Sequence, residues 1–154
     1  MSWVRSGEVV PTPEGQPLAS AYGSAAKFIA EVVRLGTREE CHVLARPQGG
    51  VWFIEVRTRS GRSGSCSIPA ETLEAAGSPT TAKGARRDIL DSLWECESLF
   101  GPFDEDNAHQ IECNGPRGCR ARFPFWVPEM LGPAASVNCP VCGDTIALRI
   151  TYGR

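Results

Sequence analysis

The sequence predicts an α+β fold in which a helix, three antiparallel strands and a second long helix precede a small β-rich module. Three patterns predict it: apolar residues at helical spacing in 21–35, alternating side chains in 51–58, and two pairs of cysteines near the C-terminus. The first two patterns indicate a domain with its own apolar core. The third indicates a module held together by side-chain ligands.

Composition places the chain among ordinary globular proteins. Apolar residues make up 42% and charged residues 22% of its 154 residues. No apolar run approaches the roughly 18 residues that cross a bilayer, so we expect no membrane association. The N-terminus has no apolar segment behind a basic start, and an odd number of cysteines, seven, cannot all pair as disulfides. We therefore expect a cytoplasmic protein with reduced thiols.

The breaker residues divide the chain into three parts. Residues 1–20 contain three prolines and two glycines, which predicts an N-terminal arm with at most a short strand around Val9 and Val10. The α+β domain is predicted to span 21–103. A polar joint then opens the C-terminal module, 104–154.

Two long helices are predicted in the α+β domain. The first runs from 21 to 35 and ends at Gly36. The second has Ser78 as its N-cap and Pro79 at its first position, and its apolar residues recur every three or four positions up to Phe100. A short helix over 69–76 is predicted between the sheet and this second helix.

The strands are predicted at 41–45, 51–58 and 64–68, separated by residues typical of turns. Such short connections predict an antiparallel meander. In the middle strand Trp52, Ile54 and Val56 share one face by the two-residue period, and we expect that face to meet the core.

The cysteine pairs predict a zinc site. Cys139 and Cys142 form a C-P-V-C-G turn, and Cys113 and Cys119 form a longer loop with two glycines and a proline. Two tight turns that each present two thiolates provide the tetrahedral sulfur geometry that zinc prefers. The predicted fold class is therefore α+β, an N-terminal antiparallel meander sheet with two helices plus a C-terminal β-rich zinc ribbon. We expect one structural Zn²⁺.

Several residues around these cysteines carry a resemblance to a known family. They are Phe125, Val127, Pro128, Glu129, Leu131, Gly132, Cys139, Pro140, Cys142 and Gly143. From about 112 to 152 the chain resembles small bacterial zinc ribbons, in which an aromatic-valine-proline stretch precedes a closing C-P-x-C-G. The resemblance implies a fold and a metal, and no activity. The family's first pair is C-x2-C-G, so the longer loop here leaves His109 as an alternative ligand to Cys113.

Basic residues suggest a second kind of site. Three basic residues lie in the hairpin that the second and third predicted strands form. Three others lie early in the second long helix, and two lie in the ribbon. They are Arg57, Arg59, Arg62, Lys83, Arg86, Arg87, Arg120 and Arg122. The interpretations are solvated surface charge or contact with phosphate. The order of helix, three strands and helix, with Ser78–Lys83 opening the second helix, is also similar to a double-stranded-RNA-binding domain, which implies nucleic acid as a partner.

The pattern as a whole favours a binding or adaptor protein over an enzyme. Four residues of the ribbon, Phe123, Phe125, Trp126 and Met130, are interpreted either as anchors for a protein partner or as core between ribbon and domain. Cys41 next to His42 is not read as a nucleophile–base pair, because adjacent strand residues point to opposite faces. We expect a protein partner, with nucleic-acid binding as the alternative and an enzyme with a structural zinc as the third hypothesis.

Overall fold

The computed structural model describes residues 16–95, 99, 108–116, 119–126 and 136–147. The helices in this part of the chain are a 3₁₀ turn Leu18–Ser20, α1 Gly23–Thr37, α2 Ala70–Ala75 and α3 Ala82–Leu93. The strands are β1 Gln16–Pro17, β2 Cys41–Gln48, β3 Val51–Thr58, β4 Ser63–Pro69, β5 Ala108–Glu112, β6 Arg122–Trp126, β7 Ser136–Asn138 and β8 Thr145–Ala147. The predicted α+β class is confirmed.

The main sheet is an antiparallel meander with strand order β1-β2-β3-β4. Ile54 of β3 lies opposite Ala45 on one side and Cys66 on the other. Ile54 and Val56 are fully buried, and Trp52 packs against the core on the same face. The predicted core face of the middle strand is therefore the one that the helices cover.

The last residues of the predicted arm belong to the sheet. Gln16 and Pro17 pair with Ala45 and Leu44 of β2, and Leu18 is fully buried. Proline is tolerated here because an edge strand has no partner on its outer side for the missing N–H. The short strand predicted around residues 9 and 10 lies outside the described residues.

Helix α3 begins three residues later than predicted. The carbonyl of Ser78 accepts the N–H of Thr81 and of Ala82, at 3.1 and 2.8 Å. The hydroxyl of Thr81 donates to the carbonyl of Ala75 at 2.8 Å. These bonds hold 78–81 as a turn that links α2 to α3, so Ser78 is not the N-cap and Thr81 takes that position.

The C-terminal module consists of two antiparallel hairpins, β5 with β6 and β7 with β8. Its buried side chains, including Phe123, Val141 and Ile146, belong to the same apolar cluster as Ile29 of α1 and Leu93 of α3. Helix α1 contacts both β5 and β6. One continuous core therefore joins the hairpins to the α+β domain.

Within these ranges, every helix falls short of the length and apolar character that crossing a bilayer requires.

Candidate metal centre

Four cysteine sulfurs converge between the tips of the two C-terminal hairpins. The Sγ atoms of Cys113, Cys119, Cys139 and Cys142 all lie within 4.8 Å of one another. The pair Cys113 and Cys142 is 3.6 Å apart, and the pair Cys119 and Cys139 is 3.9 Å apart. Zinc–thiolate bonds of about 2.3 Å in a tetrahedron place sulfurs roughly 3.8 Å apart, whereas a disulfide bond is about 2.05 Å. The four thiols could thus hold one metal ion.

Each cysteine pair sits at the tip of a hairpin. Glu112 and Arg122 are the last paired residues before the first pair, and Asn138 and Thr145 are the last before the second. The hydroxyl of Thr145 also donates to the Asn138 side chain at 3.0 Å. Strand pairing therefore positions both loops at the ends of their hairpins.

The two loops share a hydrogen-bond pattern although they differ in length. In the second loop Gly143 N–H donates to the Cys139 carbonyl at 2.8 Å, and Cys139 N–H donates to the Asp144 carbonyl at 2.9 Å. The first loop repeats both bonds. There Arg120 N–H donates to the Cys113 carbonyl at 3.2 Å, and Cys113 N–H donates to the Ala121 carbonyl at 2.8 Å.

The residue after the second cysteine of each pair has left-handed backbone geometry. Gly143 has a φ of 86°, which glycine adopts without steric cost, and Arg120 has a φ of 60°. The two loops, with five and two intervening residues, thus share these backbone bonds and the left-handed residue that follows the second cysteine. This equivalence supports Cys113 as a member of the cluster, while the side chain of His109, the predicted alternative, lies outside the described residues.

The two loops also touch each other. A Cβ added to Gly115 in the first loop would lie 2.5 Å from the Cβ of Asp144 in the second. Side chains essentially never approach so closely, so a glycine is required at this position.

The thiols are shielded from solvent. Cys113, Cys119 and Cys139 are buried and Cys142 is half-buried. Burial raises the pKa of the Cys139 thiol to about 12, against backbone N–H groups of Cys142 and Val141 that lower it, and the charge on Cys119 raises it further. Metal binding requires the thiolate, so it must displace a proton here and weakens as the pH falls.

Helix α3 contacts both loops through adjacent arginines. The Arg86 guanidinium donates to the Val141 carbonyl at 2.9 Å. The Arg87 guanidinium donates to the Cys119 carbonyl, and its Nη2 lies 3.5 Å from the Cys119 sulfur. These bonds account for two of the arginines that the sequence suggested as phosphate contacts.

A cleft of about 470 Å³ opens beside this contact, between α3 and the first hairpin. Arg87, Arg120 and Arg122 line it, so the structure brings together one arginine of α3 and the two of the ribbon. Asp91 and Trp94 also line the cleft, and neither was predicted from the sequence as a site residue. The sequence pattern could have indicated Trp94, because this aromatic residue follows directly after the apolar stripe of α3.

The hairpin arginines lie elsewhere and contact other groups. Arg57 pairs with Glu55 at 2.9 Å, and Arg62 donates to the Leu99 carbonyl at 3.2 Å. Glu39 accepts hydrogen bonds from both the N–H and the hydroxyl of Ser60 at the hairpin tip. Burial alone would raise the pKa of Glu39, but the bonds from Ser60 and the nearby Arg62 charge outweigh it and lower the pKa. The tip therefore carries a carboxylate among its arginines.

The structure describes the burial of two of the four predicted anchors, Phe123 and Phe125. Phe123 is fully buried in β6 and belongs to the shared core, which corresponds to the second of the two interpretations offered for it. Phe125, in the same strand, is half-buried. The side chain of Trp126 and the whole of Met130 lie outside the described residues.

Cys41 does not have the character of a nucleophile. It is half-buried in β2 opposite Thr58. Burial, with a smaller contribution from the Glu40 charge, raises the pKa of the Cys41 thiol to about 11. At neutral pH almost none of it is thiolate, which agrees with a packing role.

No protein family model matches this chain, and comparisons with curated proteins and with solved structures find no significant match. The resemblances to small zinc ribbons and to double-stranded-RNA-binding domains thus stay expectations from the sequence.

Proposed function

We propose that this chain is a zinc-binding protein in which one ion, held by Cys113, Cys119, Cys139 and Cys142, is structural. The observation that carries the proposal is the convergence of four sulfurs at distances suited to a tetrahedral thiolate site. Soft thiolate ligands in this geometry favour zinc or an iron–sulfur centre, and zinc needs no added inorganic sulfide. Four thiolates would satisfy the ion and leave no position for water or substrate.

The biochemical role that we propose is non-catalytic recognition of a protein partner in a reducing compartment, the cytoplasm. A closed tetrathiolate ion is a poor Lewis acid because the ligands spread negative charge over it. Its contribution would be to hold the two hairpin tips against Arg86 and Arg87 of α3. The result is one rigid surface shared by the ribbon and the helix, suited to binding.

Nucleic-acid binding through the hairpin has weaker support. Arg57 is paired with a carboxylate, Arg62 donates to a backbone carbonyl, and Glu39 adds negative charge at the tip. Ionic attraction to phosphate depends on a concentrated positive surface, which these contacts reduce.

Metal analysis of the full chain, purified without added metal, tests the centre. We expect one zinc per chain and a zinc-edge absorption spectrum with sulfur at about 2.3 Å. Cys139→Ser should lose most of the metal, while Cys41→Ser, which removes a half-buried thiol outside the cluster, should keep it. Full zinc content in Cys139→Ser, or a first shell with two light-atom ligands, would refute the proposal.

Affinity capture from native lysate, with and without nuclease, tests the role. Partners retained after nuclease treatment support protein recognition. Loss of every partner after that treatment favours the nucleic-acid alternative.

A further inference from the structure

The cleft between α3 and the first hairpin has the charge and shape of a ligand site. Arg120 and Arg122 supply two positive charges, Asp91 supplies one negative charge, and Arg87 supplies a third positive charge that it shares with the thiol cluster through Cys119. Its volume of about 470 Å³ lies within the roughly 300–1,000 Å³ of typical ligand pockets. It can therefore take a small molecule or a few residues of a chain, and is too small for a folded domain.

Arg120 occupies a backbone position where glycine would be less strained. Its φ of 60° lies in the left-handed region, where a side chain is strained and glycine is not, and the equivalent position in the other loop is Gly143. No bond in the shared loop pattern needs the arginine side chain, since only its N–H takes part. What distinguishes Arg120 from Gly143 is the guanidinium that it brings to the cleft.

Arg120 already lies beside a carboxylate. Its guanidinium is 3.6 Å from the Glu112 carboxylate, and both side chains are exposed, at 78% and 51%. Such exposed pairs contribute little free energy, so a ligand carboxylate can replace Glu112 at small cost. The 78% exposure of the Arg120 side chain leaves its guanidinium accessible to a carboxylate from solvent.

The wall formed by α3 has an aromatic and an apolar side chain, Trp94 and Leu90, beside its charged ones. The indole N–H of Trp94 donates to the Arg122 carbonyl at 2.8 Å, which links the last turn of α3 to β6. Leu90, one turn earlier, is buried and also lines the cleft. An indole held by its N–H offers a fixed apolar surface for a ligand side chain.

These features favour an acidic peptide over a nucleic acid. Guanidinium groups bind carboxylates through paired hydrogen bonds, and the Asp91 carboxylate can accept a peptide N–H. A strand of nucleic acid has a phosphate on every unit and would place one near Asp91 or Glu112, whereas a peptide can place carboxylates at the arginines and uncharged groups beside Asp91 and Glu112. A peptide segment that combines carboxylates, backbone N–H groups and an apolar side chain matches the basic, acidic and apolar residues that line the cleft.

We propose that this cleft binds a short acidic segment of a partner protein, with its carboxylates on Arg120 and Arg122 and an apolar side chain against Trp94. The proposal rests on the recognition role argued above and specifies its ligand. Arg87 forms the inner wall, where it also contacts Cys119.

The test is a titration of the full chain with the peptide acetyl-Glu-Leu-Glu-amide, followed through the NMR signal of the Trp94 indole N–H. Trp94→Phe assigns that signal. Arg120→Gly should weaken binding roughly tenfold or more, as expected for loss of a charge-assisted hydrogen bond. The fold should survive, because glycine suits the left-handed backbone at this position.

Arg38→Gly is a matched control. Arg38 also has a left-handed backbone, with a φ of 62°, and is exposed at the end of α1. The substitution changes the net charge equally but removes no residue of the cleft, so binding should be unchanged. Glu112→Gln should strengthen binding, because it removes the internal competitor for Arg120.

Three results would overturn the proposal: no shift of the Trp94 signal, equal binding of acetyl-Gln-Leu-Gln-amide, or tighter binding of a single-stranded oligonucleotide than of the acidic peptide. Zinc is measured in the same samples. A chain that carries zinc and does not bind the peptide contradicts the cleft proposal alone. A chain that binds the peptide without zinc contradicts the metal proposal alone, and one that does neither contradicts both.

Discussion

The guanidinium of Arg87 lies 3.5 Å from the sulfur of Cys119 and donates to the carbonyl of the same residue. Four thiolates around a dication would carry a net charge of −2, and this arginine is placed to offset part of it. Groups that hydrogen-bond to metal ligands orient them and tune their affinity. Arg87 is therefore expected to act on the metal centre through Cys119.

Replacing Arg87 by alanine should weaken zinc binding roughly 10- to 100-fold, the usual effect of losing a partner of a metal ligand. Competition with a chromophoric chelator measures this directly. Arg87→Lys should recover part of the affinity because it keeps the charge. Lys83→Ala, an exposed cation on the same helix, should leave the affinity unchanged. Wild-type affinity in Arg87→Ala would show that the contact has no role at the centre.

Substitutions at Gly143 and Arg120, the left-handed residues of the two loops, are expected to change the free energy of unfolding in opposite directions. Gly143→Ala should destabilise the protein by roughly 1 kcal/mol, since a φ of 86° strains any side chain although nothing lies within 4 Å of the added Cβ. Arg120→Gly should preserve or raise stability. Gly84→Ala, in open space on α3, should stabilise by about 0.5–1 kcal/mol through helix propensity. Thermal unfolding of the zinc-loaded proteins compares all three, and a stabilising Gly143→Ala would contradict the shared geometry.

The contact between Gly115 and Asp144 predicts a specific rescue. Gly115→Ala should push the two loops apart and weaken zinc binding, because its Cβ would meet the Cβ of Asp144 at 2.5 Å. Asp144→Ala keeps that Cβ and should not restore binding, whereas Asp144→Gly removes it and should. Zinc affinity of the single and double variants decides the matter. Equal rescue by both second-site substitutions would show that the aspartate's outer atoms cause the clash.

The half-buried Cys41 thiol predicts that the free energy of unfolding depends on pH. Its pKa of about 11 in the folded protein exceeds the ordinary 9.0, so folding favours the protonated form. The associated stability is present below pH 9 and is lost as the pH rises towards 11. At about pH 8, alkylation of Cys41 by iodoacetamide should be roughly tenfold slower in the folded than in the denatured chain, since thiolate loss is only partly offset by higher nucleophilicity. Peptide mapping by mass spectrometry measures both rates, and equal rates would contradict the raised pKa.

Local patterns in the sequence were sufficient for most of the fold. The period-two alternation around Ile54 predicts the core face of β3, and turn residues between the strands predict the meander, because both depend on neighbours a few positions away. The start of α3 was not predictable from such patterns. Ser78 and Pro79 have the composition of a helix start, but hydrogen bonds from Thr81 back to Ser78 and Ala75 hold a turn there instead.

Cysteine spacing identified the candidate ligands, since each pair is brought together by a short loop whose reach the chain length limits. It could not decide between Cys113 and His109, because a five-residue loop is compatible with more than one geometry. Only the folded structure places Cys113 in the sulfur cluster. It also shows that Cys113 and Arg120 make the same backbone hydrogen bonds as the equivalent residues of the second loop.

The sequence by itself determined the helices and the meander of the α+β domain, apart from the start of α3, and the cysteine pairs as candidate ligands, because these follow from residue periodicity and from short loops along the chain. Only the tertiary structure decided what the basic and aromatic residues contact. Arg87 and Arg122 are 35 positions apart in sequence yet line one cleft, and Phe123 is core because helix α1 packs on β6. Such contacts depend on how separate elements pack on one another, which periodicity and spacing along the chain do not encode.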